Sequence, residues 1–164
     1  MAGSVAAVTH HVVEFERTTP APPEVVWRWL ADAASWKEWT RLTESRLERE
    51  GMPEPDGVGA IRRFGRAGAS SLEEVVVFDP PQHLAYVLIR GLPIVNYRAD
   101  VVLEPDGTGT RIRWHSEFDT KYPGTGAPMR VFLRTILGDT ADRLVARSER
   151  GPGRDGRERR TVEG

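Results

Sequence analysis

The sequence predicts an α+β domain: a curved antiparallel sheet of about seven strands around a long C-terminal helix, with two short helices after the first strand. Two observations predict it. First, segments of two-residue period, separated by short turns, fill most of the chain between residues 43 and 118. Second, a short segment of helical period precedes them and a longer one follows. An antiparallel sheet with one apolar face needs a cover, and only the last helix is long enough to supply it.

The N-terminal part of the chain predicts one strand and two short helices. Residues 10–18 alternate between polar and apolar side chains, which is typical of a strand. Pro22 and Pro23 end that strand and begin a helix over about 23–31, since proline is tolerated in the first helical turn. A second helix is predicted around 33–38. Four of the five tryptophans lie in this region: Trp27, Trp29, Trp36 and Trp39.

The remaining strands are predicted from alternation and from the turn residues between them. The segments are 44–50, 58–66, 71–78, 83–90, 97–103 and 110–118. The sequence Glu-Pro-Asp-Gly-Thr-Gly predicts a hairpin between the last two. Apolar residues at helical spacing then predict a helix over about 128–147. We expect one domain over residues 1–150, followed by a disordered, Gly/Arg/Glu-rich tail over 151–164.

Composition and charge exclude several classes of function. The chain has 164 residues, 23 basic and 24 acidic, with a formal net charge of −1. This balance gives no overall electrostatic attraction to nucleic acid. No segment approaches the roughly 18 apolar residues of a membrane span, and no signal peptide is visible. We therefore predict a cytoplasmic protein without integral membrane association. The chain contains no cysteine.

No cofactor or metal is expected. Gly57-Val-Gly59 lacks the third glycine of a dinucleotide fingerprint and begins a strand instead of a helix. No His, Asp or Glu spacing matches a metal-binding motif, because His10 and His11 are adjacent in a strand and point to opposite faces.

Several motifs resemble those of a known superfamily. They are Ala21-Pro-Pro-Glu-Val-Val-Trp27, Trp36-Lys-Glu-Trp39, Gly57-Val-Gly59, Val75-Val-Val-Phe-Asp-Pro-Pro81 and Gly107-Thr-Gly-Thr-Arg-Ile-Arg-Trp114. In this order the chain resembles the START/Bet v 1-like (SRPBCC) superfamily, in particular its bacterial polyketide cyclase/dehydrase and lipid-transport branch. The resemblance spans about residues 10–147. It implies a helix-grip fold with an internal cavity for an apolar or aromatic ligand.

Arg62 is the most unusual residue on the predicted inner face of the sheet. If Phe64 points inward then so does Arg62, because side chains two apart on a strand share a face. A charged group there requires a carboxylate partner, or an anionic or carbonyl-bearing ligand. Glu73 and Glu74 are adjacent on a strand and do not form a paired-carboxylate site, so the inner face offers no evident acid/base pair.

The candidate ligand-binding residues come from the short second helix, the inner faces of the strands and the apolar side of the last helix. They are Trp36, Trp39, Arg62, Tyr86, Tyr97, Trp114, Ser116, Phe118, Met129, Phe132, Leu133 and Ile136. Trp36 and Trp39 are expected where the cavity opens. The phenol, indole and hydroxyl groups of the strands are expected either to hold structural hydrogen bonds or to orient oxygen atoms of a ligand.

Two main functions remain open at this point. The chain is predicted to bind a small hydrophobic ligand (aromatic, polyketide-like or lipid) as a carrier or sequestering protein. Alternatively, it is a polyketide aromatase/cyclase that folds a poly-ketone in its cavity, with proximity supplying most of the acceleration. The absence of an evident acid/base pair favours binding. A co-chaperone-type interaction module is the third interpretation, and a homodimer is compatible with all three.

Overall fold

A computed structural model describes residues 8–150. The strands are β1 (His10–Thr19), β2 (Glu44–Arg49), β3 (Ile61–Arg66), β4 (Ala69–Asp79), β5 (His83–Arg90), β6 (Ile94–Asp106) and β7 (Gly109–Thr120). The helices are α1 (Pro23–Ala31), a 3₁₀ turn (Ala33–Ser35), α2 (Trp36–Trp39) and α3 (Gly126–Glu149). The predicted tail, residues 151–164, lies outside the described residues, and the domain boundary at 150 stays a prediction.

The seven strands form one antiparallel sheet in the order β1-β7-β6-β5-β4-β3-β2. The predicted α+β helix-grip fold is therefore confirmed, with two short helical segments after β1 and a long helix at the C-terminal end. β1 joins the sheet beside β7, so the first and last strands are neighbours. This pairing leaves β1 and β2 as the two edges of the sheet.

Several boundaries differ from those predicted, and three of the differences have a clear local form. β3 begins at Ile61 instead of residue 58, because Gly59 has a φ of +85° and turns the chain, leaving Val58 in an isolated bridge with Met52. The second helix begins with a 3₁₀ turn, capped by a hydrogen bond from the Ala34 amide to the Asp32 carboxylate. β6 and β7 extend further into their shared hairpin than the alternation of apolar residues indicated.

The core lies between the inner face of the sheet and the helices. The inner residues of β7 are Ile112, Trp114, Ser116 and Phe118, each at most 1% exposed, as their alternation predicted. Val26 and Leu30 of α1 are fully buried above the sheet. The helix α3 packs against β1 and α1. Its C-terminal part, beginning at Gly138, buries Ala141, Leu144 and Ser148, while its N-terminal part is less completely covered.

Candidate functional site

Two adjoining cavities, open to solvent, lie between α3 and the inner faces of β3 and β4, mainly beside the N-terminal part of the helix and as far as Thr140. Their volumes are about 480 and about 400 Å³, within the range of small-molecule sites. The residues that line both cavities are Leu42, Phe64, Arg66, Ser71, Glu73, Ile136 and Leu137. Because these walls are shared, we treat the two cavities as one site and call it the cleft.

Half of the predicted ligand-binding residues line the cleft. Trp36 and Tyr86 line the first cavity, and Tyr97, Phe132 and Leu133 line the second. Ile136 lines both. Phe132 and Ile136 are 45% and 46% exposed, so with Arg66 they mark the mouth, where the cleft meets solvent. Whether these residues contact a ligand stays a prediction.

The other predicted residues lie elsewhere. Trp39 lines a separate cavity of about 230 Å³ beside the last turns of α3, so the predicted tryptophan pair is divided between two sites. Trp114 and Phe118 are fully buried and stack on aromatic rings of β1. Ser116 is buried next to Tyr97. Met129 packs against the core and lines neither cavity of the cleft.

Arg62 lies directly behind the cleft wall and is completely buried. The expectation that it points inward with Phe64 is confirmed, because Phe64 is also buried. The Arg62 Nη2 atom donates a hydrogen bond of 2.9 Å to Oε2 of Glu73. The rings around its guanidinium carbon, with distances to their centroids, are those of Tyr86 (4.6 Å), Phe64 (5.1 Å) and Trp36 (5.2 Å).

The guanidinium of Arg62 is only partly satisfied by these contacts. Its Nε and Nη1 atoms have no hydrogen-bond partner among the described residues, whereas buried polar atoms nearly always have one. Attraction between the cation and the surrounding ring faces offsets part of the free-energy cost of these missing hydrogen bonds. The three rings and Glu73 all belong to the cleft wall, so Arg62 lies one layer behind the surface of the cleft.

The sequence alone did not identify Glu73 as a cleft residue, nor Leu42, Arg66, Ser71 and Leu137. Glu73 lines both cavities, and its side chain is 15% exposed. Burial raises the pKa of its carboxyl group, and the neighbouring Arg62 opposes that shift without cancelling it. Glu73 lies directly opposite Arg62 in the antiparallel register. The signal that could have found it is the two-residue turn at Ala67 and Gly68, which sets this register.

Two tyrosines complete the polar part of the cleft. The rings of Tyr86 and Tyr97 lie 6.3 Å apart, and the Tyr97 hydroxyl donates a long hydrogen bond of 3.5 Å to Oγ of Ser116. Burial is the main cause that raises the pKa of both phenols, and the charge of Glu73 adds to it. Both hydroxyls are protonated at neutral pH, and each carries a single O–H donor. A ligand oxygen that accepts from Tyr97 would replace its long bond to Ser116.

Residues 8–150 contain neither a cluster of metal-binding side chains nor a membrane-spanning helix. Within residues 8–150, no three His, Asp or Glu side chains come together in a group suited to a metal ion. Over the same range, no helix is long and apolar enough to cross a membrane.

Sequence and structure comparisons agree with this architecture. The family model described as polyketide cyclase/dehydrase and lipid transport matches residues 10–149. No curated protein matches the chain in sequence.

Similar solved structures share the fold at low identity. A START superfamily protein from Mycobacterium smegmatis has a TM-score of 0.74 at 14% identity, over 85% of this chain and 98% of that one. A solution structure from Thermobifida fusca has a TM-score of 0.70 at 23% identity, over 85% and 93%. Norcoclaurine synthase from Thalictrum flavum, in complex with dopamine and hydroxybenzaldehyde, has a TM-score of 0.68 at 15% identity, over 89% and 91%.

Proposed function

We propose that this chain, which belongs to the polyketide cyclase/dehydrase and lipid-transport family, binds a small, mainly apolar molecule in the cleft as a carrier or sequestering protein. The observation that carries the proposal is the unfilled space of about 480 and about 400 Å³ next to the core. Protein interiors are otherwise packed closely, with few voids larger than a water molecule.

The mouth of the cleft supports an apolar ligand. Phe132 and Ile136 are about half exposed although both are large and apolar. Covering such surface is worth about 25 cal/mol per Å². A ligand whose apolar body lies against these side chains and against Leu133 removes that surface from water, which stabilises the bound state.

The inner end of the cleft supports a ligand with at least one oxygen atom. The hydroxyls of Tyr86 and Tyr97 are protonated. A carbonyl or hydroxyl oxygen that accepts from Tyr86, or that replaces Ser116 as the acceptor of the long bond from Tyr97, would be oriented within the cleft. Hydroxylated aromatic, polyketide-like and oxygenated lipid molecules all carry such an oxygen. Norcoclaurine synthase, which has a similar fold, is described in complex with two small hydroxylated aromatics, and ligands of that size would fit this cleft.

Native mass spectrometry of the freshly purified protein, with solvent extraction of bound molecules, tests the proposal first. A titration with the neutral fluorophore N-phenyl-1-naphthylamine then measures binding directly. We expect Ile136→Trp, which fills the mouth of the cleft, to abolish binding of the fluorophore. The matched control is Val131→Trp, because Val131 lies on the same helix, is 65% exposed and does not line the cleft. Equal binding by both variants would refute the proposed site.

A cyclase is the second candidate, and Glu73 is the observation that favours it. A carboxylate with a raised pKa is a stronger base than an ordinary one, and it lies beside protonated phenols. In an intramolecular aldol reaction, Glu73 would accept the proton from a carbon next to one carbonyl. The resulting enolate carbon would form a bond to the second carbonyl carbon. A phenol would donate a hydrogen bond to the oxygen on which negative charge develops, and the alkoxide would then take the proton held by Glu73, which gives the aldol product and restores the carboxylate.

The diketone 2,6-heptanedione is a simple probe of this reaction. Its cyclic aldol product loses water to give an enone, and the enone is followed by ultraviolet absorbance. A cyclase would turn it over, and Glu73→Gln would lose turnover while still binding N-phenyl-1-naphthylamine. Turnover that is no faster than the buffer rate, in a protein that binds the fluorophore, would support the carrier.

A further inference from the structure

The charged residues of the cleft wall leave one positive charge unpaired. The wall contains Arg41, Arg66, Glu73 and Asp139. Glu73 is paired with the buried Arg62 at 2.9 Å, and Arg41 is paired with Asp139 at 3.3 Å. Asp139 also accepts from Arg143 at 2.9 Å, so no acidic group of the wall is left without a cation. Arg66 has neither an ion pair nor a hydrogen bond with any described side chain.

The position of Arg66 places this charge at the mouth. Arg66 is the last residue of β3, it is exposed, and it lines both cavities. The neighbouring arginine of the same strand behaves differently, because Arg63 lies on the outer face between Glu44 and Glu48. β3 therefore presents the paired guanidinium of Arg63 on its outer face and the unpaired guanidinium of Arg66 at the mouth of the cleft.

We propose that Arg66 binds the anionic group of the cleft's ligand, so that the ligand is a monoanionic amphiphile. Its carboxylate lies at the mouth, and its apolar body lies along Phe64, Ile136 and Leu137. The inference rests on the proposed function, because it assigns a chemical class to the occupant of the same cleft. Arg66 contributes specificity: a planar guanidinium makes two parallel hydrogen bonds to a carboxylate and only weaker ones to a neutral group of equal size.

Decanoate and its neutral amide, decanamide, test this assignment because they differ mainly in charge. Each competes for the cleft with N-phenyl-1-naphthylamine, which is itself neutral. We expect wild-type protein to bind decanoate about 3- to 10-fold more tightly than decanamide at low salt, the effect of a charge-assisted contact at a solvent-exposed site. That preference should shrink when salt is raised to about 0.5 M, because exposed charges are screened.

Arg66→Gln separates this contact from the general charge of the protein. The variant should bind decanoate about 3- to 10-fold more weakly and decanamide as before. Arg63→Gln removes the same charge from the outer face, and it should keep the wild-type preference. Equal binding of the two ligands by wild type, or a preference that survives in Arg66→Gln, would overturn the assignment. Binding of the fluorophore and decanamide without any preference leaves the proposed function standing, whereas no binding of any probe removes both.

Discussion

The two parts of α3 lie against the same sheet in different ways. In the C-terminal part, Ala141 and Leu144 are fully buried and Ser148 is 3% exposed. In the N-terminal part, Phe132 and Ile136 are almost half exposed and form the wall of the cleft. One helix therefore supplies both a closed core and one side of a binding site. We therefore expect substitutions in the two parts to affect stability and ligand binding separately.

Side-chain size accounts for part of this difference. The C-terminal part begins with Gly138 and Ala141, which are both buried, and small side chains allow a helix to approach its neighbours closely. The N-terminal part carries large apolar residues at the positions that face the sheet. The side chains of Leu133 and Leu137 reach the core, and space remains beside them over β3 and β4.

The largest expected effect concerns the buried pair behind the cleft. Arg62→Leu leaves the Glu73 carboxylate without its buried cation, so we expect a loss of about 3–5 kcal/mol in the free energy of unfolding, measured by urea denaturation. The double variant Arg62→Leu/Glu73→Leu removes both charges and should recover most of that loss. A double variant as unstable as the single one would show that the pair itself, and not the unpaired carboxylate, determines stability.

The next effect tests the contrast within α3 directly. Leu144→Ala removes a fully buried side chain, so it should lower the free energy of unfolding by about 2–5 kcal/mol. Ile136→Ala removes a half-exposed side chain of similar size and should lower it by less than about 1 kcal/mol. In fluorophore titrations the order should reverse, with Ile136→Ala weakening the affinity and Leu144→Ala leaving it close to wild type. Equal stability losses would mean that the two parts of the helix are packed alike.

The pH dependence of stability tests the burial of Glu73 in the wall of the cleft. Burial raises the folded-state pKa of this carboxyl above its unfolded value, so the folded state holds its proton to higher pH than the unfolded state. As pH rises above about 4.5, the unfolded state ionises first, and the wild type loses stability relative to Glu73→Gln. The loss levels off once pH has passed the folded-state pKa. Urea unfolding of both proteins at a series of pH values measures this difference, and a difference that grows in favour of wild type would contradict the sign.

The fold could be predicted from the sequence because its main signal is periodic. Alternation along β7 identified Trp114, Ser116 and Phe118 as inward residues, and they are fully buried. The same two-residue period placed Arg62 beside Phe64 on the inner face. These conclusions need only the orientation of a side chain within one element, which the backbone period sets.

The cleft could not be predicted to the same extent because it depends on relations between elements. Glu73 becomes important only when the register of β3 and β4 places it opposite Arg62. The helical period puts Met129 and Phe132 on similar faces of α3, yet only Phe132 lines the cleft. The outcome depends on how far each turn of α3 lies from the sheet, and tertiary packing sets that distance.

The smallest expected effect is a change in tryptophan fluorescence, which tests whether the ligand lies in the cleft. Trp36 lines the cleft, whereas Trp27 packs edge-on against Phe78 at 5.1 Å and does not line it. We expect decanoate to change the tryptophan fluorescence of the wild type, and Trp36→Phe to remove most of that change. Trp27→Phe should keep it, because the Trp27 indole is surrounded by core side chains in both states. If Trp27→Phe removed the change and Trp36→Phe did not, the ligand would lie on the α1 side of the core and the N-terminal part of α3 would lose its assigned role.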